Sequence, residues 1–131
     1  MLVDTSGLLC IFDKSDRRHS EASELYLDAP LLLTHNYVLA EFIPLCNARR
    51  HEKPASIEFI SEFVDNPDLT VVWVDEVLHR SGLNLIRARQ DKAYSLCDAI
   101  SFVLMREYEV NEALTTDRHF AEEGFRQMLP P

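Results

Sequence analysis

Four carboxylates of this chain stand where carboxylates are costly. Asp4 follows the apolar opening "MLV", and Asp117 follows the run "EALTT". Each ends a segment that reads as a buried strand, and α/β proteins bind ligands just beyond the carboxyl ends of such strands. Glu41 lies in "NYVLAEFIPLC", where the positions three and four away are Tyr37, Val38, Pro44 and Leu45. A glutamate in so apolar a stripe faces a cavity, or is buried and needs a partner. Asp98 precedes "AISFVLM", a stretch too apolar all round for a surface helix.

Plain structural roles exist for three of them. Asp4 and Asp117 can be N-caps, and Asp98 can close a capping box, because "SLCD" matches Ser-x-x-Asp. Those roles are compatible with a site, since a helix N-terminus is a common place for one. Neither a cap nor a solvated face explains Glu41, and isolated core glutamates are rare. The set says more than its members. Four carboxylates on one sheet edge would repel by roughly 3 kcal/mol per pair at about 6 Å and an effective dielectric near 20. Protons or cations must relieve such a cluster. Hard oxygen donors with few histidines suit Mg²⁺ or Mn²⁺, the metals of phosphoryl and phosphodiester chemistry.

The elements that must hold these acids can be read along the chain. "MLVD" reads as a short buried strand leading into a helix over Thr5–Phe12. A polar connection, "DKSDRRHSE", precedes a helical "SEASELYLDA", and "PLLLTH" is a second short apolar run. A longer helix follows through "NYVLAEFIPLCNARR", with Pro44 expected to bend it or reshape one turn. Pro54 marks a helix start before "ASIEFISEFVDN". "LTVVWVD" is the best strand by composition, β-branched and aromatic. Two further helices, "EVLHRSGLNLIRARQ" and "DAISFVLMREYE", lead to the strand "EALTT" and a short closing helix, "DRHFAEEGF". Strands alternating with helices predict an α/β fold with a mainly parallel central sheet. No repeat or linker divides residues 1–131, so one domain is expected.

In this order and spacing, "MLVDTSGLL", the helical "AEF", "SLCDAISFVLM" and "ALTTDRHFAEEGF" resemble the PIN-domain family. The likeness is greatest to the small VapC-type toxin ribonucleases of toxin–antitoxin pairs and covers essentially the whole chain. It implies a three-layer α/β/α sandwich and a metal-dependent endoribonuclease whose four acids are Asp4, Glu41, Asp98 and Asp117. By this resemblance Asp4 and Asp98 hold the principal Mg²⁺ or Mn²⁺, with Glu41 and Asp117 completing the acidic pocket. Cys97 departs from the pattern, since relatives often carry threonine before the third acid. Ser6 and Thr116 are candidate donors that orient the carboxylates, or equally turn and strand-end hydroxyls. His119 lies near an acid but reads as a loop residue and receives no role. The resemblance further implies a homodimer and an antitoxin that inserts a basic side chain among the acids.

Bulk properties bound the partners. The net charge is −9, from 13 Lys+Arg against 22 Asp+Glu. That argues against a protein that simply coats nucleic acid, and leaves room for an enzyme that meets phosphates through a metal. The candidate RNA contacts are Arg17 and Arg18 in "DRRH" and Arg49, Arg50 and Lys53 in "NARRHEK", with Arg87 and Arg89 on another helix. Any one of them alone is more simply a solvated charge. Cys10, Cys46 and Cys97 form no C-x-x-C pair, so a reducing cytoplasmic setting is expected. No apolar stretch is long enough to span a bilayer, and Met1–Phe12 lacks a basic leader.

Competing readings are a phosphorelay receiver, an aspartic protease, a PIN-like binding module without catalysis, and a housekeeping RNA-processing nuclease. A receiver wants adjacent acids after its first strand and a lysine after its last, and the chain has neither. The letters "DTSG" suggest an aspartic protease, but that fold is nearly all β. The four intact acids argue against the inactive module.

Overall fold

A computed structural model describes residues 1–131. The chain alternates strand and helix: β1 (Leu2–Val3), α1 (Thr5–Phe12), α2 (His19–Asp28), β2 (Leu32–His35), α3 (Asn36–Ala48) and α4 (Lys53–Val64). It continues with β3 (Leu69–Val72), α5 (Glu76–Ala88), α6 (Leu96–Glu107), β4 (Glu112–Leu114), α7 (His119–Glu122) and β5 (Arg126–Gln127). All strand pairings are parallel, in the order β3-β2-β1-β4-β5. Parallel strands buried on both faces need apolar side chains on both, and the sequence supplies them. Along β1, Val3 enters one core and Leu2 the other; Leu32 and Leu33 in β2, and Leu114 and Ala113 in β4, divide the same way. Period-two alternation thus builds two cores from adjacent residues. Leu8, Val38, Phe42 and Phe63 of α1, α3 and α4 close one core, and Leu78, Ile100, Phe102 and Phe120 of α5, α6 and α7 close the other. The result is the three-layer sandwich that the sequence predicts.

The sheet order places the site. From β1 the chain winds outward through β2 to β3, then returns to lay β4 against the opposite side of β1. Connections therefore leave β1 and β4 in opposite directions, opening a crevice beyond their carboxyl ends. Asp4 follows β1 and Asp117 lies three residues past β4. One glycine makes this junction possible. A Cβ on Gly7 would lie 2.1 Å from the Leu114 carbonyl oxygen, so α1 can lie directly across β4 only without a side chain there.

Several elements differ from the sequence reading. The strand at "LTVVWVD" stops at Val72, because Asp75 caps α5 by accepting the Leu78 N–H at 2.8 Å. It is the sheet's edge, and Trp73 just beyond it is 68% exposed. The helix α3 runs through Pro44 without interruption. Pro44 and Ala40 both face solvent, where the carbonyl that loses its N–H partner can be hydrated. β5 has no counterpart in the sequence reading, since two residues in "FRQM" carry no strand signal of their own. Pairing with β4 creates it. No helix is long and apolar enough to cross a membrane.

Candidate active site

Asp4 sits at the N-cap position of α1, yet its side chain caps nothing. Its Oδ2 instead accepts hydrogen bonds from Thr115 Oγ1 at 2.8 Å and Ser6 Oγ at 3.2 Å. Those hydroxyls are themselves held by backbone: the Asp117 N–H donates to Thr115 Oγ1, and the Thr116 N–H to Ser6 Oγ, both at 3.0 Å. Sheet register explains which threonine acts. Leu2 pairs with Ala113 and Val3 with Leu114, so the next step sets Asp4 opposite Thr115. Thr116, the threonine that the sequence suggests for this role, is therefore corrected to Thr115. Alternation turns the Thr116 side chain away and leaves only its N–H at the site.

Asp98 occupies the third position of α6, and both roles considered for it hold at once. Ser95 Oγ accepts the Asp98 N–H at 3.0 Å while Asp98 Oδ2 accepts the Ser95 N–H at 3.1 Å, a complete capping box. The same carboxylate also lines the crevice. Asp117 Oδ1 accepts the His119 N–H at 2.9 Å and so starts α7. The N-termini of α1 and α6 both present positive dipole ends to the acids they carry. Glu41 lies on the face of α3 that borders the crevice and is exposed there, which resolves its position in the stripe: it faces a cavity.

Asp4, Ser6, Glu41, Asp98 and Asp117 line one cleft of about 370 Å³, together with Thr5, Leu45, Ala93, Ser95 and His119. Within it, ligand atoms of Asp98, Asp117 and His119 all lie within 4.8 Å of one another. This tight group differs from the Asp4–Asp98 pair expected to be principal, although Asp98 belongs to both. Of the basic groups, only His119 comes within 4.0 Å of any of the four carboxylates. Two of them, Asp4 and Glu41, hold a proton more tightly than an ordinary carboxyl does. Burial raises the Asp4 carboxyl to about 6, with the Asp98 charge adding to the rise and the Thr115 hydroxyl opposing it. Partial desolvation likewise raises Glu41, again with a contribution from Asp98. Burial and the neighbouring carboxylates push the Cys97 thiol far above its ordinary range, so it is no thiolate ligand. An oxygen-rich set deficient in cations is the donor chemistry a hard divalent metal requires. The residues fit the metal.

The basic residues divide into tethered and free. Arg17 donates to the Pro131 carbonyl at 2.8 Å, Arg18 is paired with Asp16 at 2.9 Å, and neither lines the cleft. Arg87 binds Asn84, and Arg89 binds Glu123. Arg49 and Arg50 are exposed and make no side-chain bond within the chain. Arg49 continues the helical face of Glu41 and Leu45, four residues further on. Two residues were missed from sequence. His119 is the first residue of α7 rather than a loop residue, with Nδ1 3.0 Å from Asp98 Oδ2. Arg118, exposed and unpaired, stands between Asp117 and His119 at the cleft rim. The spacing Asp-Arg-His after the last central strand was the only signal for either.

A fold of this topology with four acids at the β1/β4 crevice is that of the PIN domain, whose profile matches residues 1–125. The chain belongs to the PIN-domain family. Its relatives include the 23S rRNA-specific endonuclease VapC20 of Mycobacterium tuberculosis, 29% identical over 99% of this chain and 98% of that protein. Ribonuclease VapC26 of the same organism is 30% identical over 92% of this chain and 90% of its own length. A VapC ribonuclease of Archaeoglobus fulgidus is 25% identical over 92% and 78%. The crystal structure of Mycobacterium tuberculosis VapC20, a sarcin–ricin loop cleaving toxin, superposes with a TM-score of 0.87 at 27% identity, covering 99% of this chain and 98% of that one.

Proposed function

We propose that this protein is a divalent-metal-dependent endoribonuclease and the toxin of a toxin–antitoxin pair. The observation that carries the reading is the cleft, where Asp4, Glu41, Asp98 and Asp117 converge with no arginine or lysine to neutralise them. Relatives that are VapC ribonucleases over nearly their full length support the same chemistry. Mg²⁺ or Mn²⁺ bound there supplies an acidified water and polarises the scissile phosphate. The residues themselves do the positioning. Thr115 and Ser6 pin one oxygen of Asp4, and the capping box pins Asp98, so both carboxylates are set before metal or RNA arrives. Glu41, raised in affinity for a proton and open to the cleft, is placed to hold the attacking water from the α3 wall.

RNA reaches this acidic molecule through its free cations. Arg49 and Arg50 at the end of α3, Lys53 at the start of α4 and Arg118 at the rim can meet phosphates without breaking an internal bond. Arg17 and Arg18 would first have to leave the C-terminal carbonyls and Asp16. An antitoxin that places a basic side chain among the acids would fill the charge deficit in the metal's stead. A homodimer of the cytoplasmic protein belongs to the same reading.

The test is cleavage of total RNA, and of a sarcin–ricin stem-loop as a first defined substrate, by purified protein with Mg²⁺ or Mn²⁺ and with EDTA. Metal-dependent scission abolished by Asp98→Asn is expected. A wild-type protein that neither cuts RNA nor binds either metal would refute the proposal. A small partner reading frame beside the gene is expected for a toxin and absent for a processing nuclease.

A further inference from the structure

Two of the three aspartates of the cleft share a pattern. Asp4 directs Oδ2 to Thr115 and Ser6, and its Oδ1 has no side-chain donor. Asp98 directs Oδ2 to the Ser95 N–H and to His119, and no hydrogen bond reaches its Oδ1. Asp117 directs Oδ1 to the His119 N–H, while its Oδ2 lies 3.4 Å from His119 Nδ1. In the first two, one oxygen is fixed by the protein and the other is left for the cleft. His119 thus stands to Asp98 as Thr115 stands to Asp4. An ionised carboxylate can only accept, so the bond at 3.0 Å requires the imidazole to carry its proton on Nδ1.

The imidazole is held in place from several sides. The Tyr94 ring meets it edge-on at 5.3 Å, and Tyr94 directly precedes the Ser95 cap of α6. Next in sequence to His119, Phe120 is fully buried, with its ring 5.0 Å from that of Phe102. Beyond α7, Glu123 is bound by Arg89 of the α5 terminus and by Arg106 of α6. The backbone under His119 is therefore anchored to the same helix that carries Asp98.

We propose that His119 is a positioning residue for the metal site: its Nδ1–H fixes Oδ2 of Asp98, leans on Asp117, and leaves Oδ1 of Asp98 to the ion. The inference rests on the cluster being a divalent-metal site. It places His119 outside the ion's own ligands, because the nitrogen facing the cluster is already engaged with Asp98. Orienting partners of this kind are worth about 10- to 100-fold in metal affinity.

Mg²⁺ and Mn²⁺ titrations of the full chain by calorimetry, with Mn²⁺ electron paramagnetic resonance as a second readout, test this. His119→Ala is expected to weaken both metals alike, by about 10-fold or more. His119→Asn, whose amide nitrogen can occupy the place of Nδ1, is expected to restore most of the loss; a merely structural role would not distinguish the two variants. Unchanged affinity in His119→Ala, beside a wild type that binds metal, overturns the inference alone. Loss of Mn²⁺ with Mg²⁺ retained also overturns it, since imidazole ligates transition metals and Mg²⁺ prefers oxygen. A wild type that binds neither metal removes the metal reading and this inference together. Circular dichroism and the melting temperature establish that each variant is folded, as expected for a side chain that is 25% exposed.

Discussion

Replacing Asp4 by asparagine should make the metal-free protein more stable while removing its function. Asp4 is 7% exposed and its carboxyl is raised from 3.8 to about 6. An acid that ionises less readily in the fold than in the unfolded chain destabilises the fold as pH rises. The stability is fully present below about 4 and is lost as pH climbs through about 6. At about 1.4 kcal/mol per pH unit, the ionised Asp4 costs the native state about 3 kcal/mol at neutral pH and above. Asparagine keeps the shape and an oxygen for the Thr115 and Ser6 hydroxyls, but carries no charge. Denaturant unfolding in EDTA should show Asp4→Asn more stable than wild type by up to about 3 kcal/mol near pH 8, or about 10 °C in melting temperature. The difference should shrink toward zero near pH 4. Mg²⁺ or Mn²⁺ at about a thousand times its Kd should reverse the order, because it stabilises only the protein that binds it, by about 4.1 kcal/mol. If Asp4→Asn is destabilised at alkaline pH in EDTA, or its advantage does not vary with pH, the account of Asp4 as a strained, cation-seeking charge is wrong.

Other perturbations separate the remaining parts. Thr115→Val should lower metal affinity about 10- to 100-fold while Thr116→Val stays near wild type, read by the same calorimetric titration. Gly7→Ala should cost about 3 kcal/mol or more by urea unfolding, since its methyl would meet a backbone carbonyl that cannot move without breaking the β1–β4 junction. His35 is fully buried, with Nε2 on Ser101 Oγ at 2.8 Å and Nδ1 unpartnered, and burial lowers it to about 4. Its contribution runs opposite to that of Asp4: stability present above about 6.5 is lost as pH falls toward 4, and His35→Gln should remove that acid sensitivity in a pH series of unfolding curves. Arg118→Ala and Arg49→Ala should each make RNA binding less dependent on salt, by about 0.7 in the logarithmic slope for each phosphate no longer neutralised, without changing metal affinity.

Much of this protein was decided locally. The acids Asp4, Glu41, Asp98 and Asp117 could be singled out because each breaks an apolar pattern that burial imposes, and such breaks are visible in one dimension. The helices α1, α3 and α6 follow from periodicity near their own residues, with a side-chain cap at α6 alone of the three, and strands alternating with helices entail a parallel sheet. The reading of Ser95–Asp98 as a capping box needed only the four residues "SLCD". The rest depended on neighbours distant in the chain. Whether Thr115 or Thr116 serves Asp4 is settled by the register of β1 against β4, which no local propensity encodes. β5 exists because β4 offers it an edge. Arg17 looks as free as Arg49 and Arg50 in sequence, and only the return of the chain end past it ties it down. His119 looked idle for the same reason. Its bond to Asp98 spans 21 residues and exists only because α7 packs beside the start of α6. Sequence determines which groups are out of place; tertiary packing decides which of them meet, because hydrogen bonds and Coulomb forces act through space at distances that chain separation does not measure.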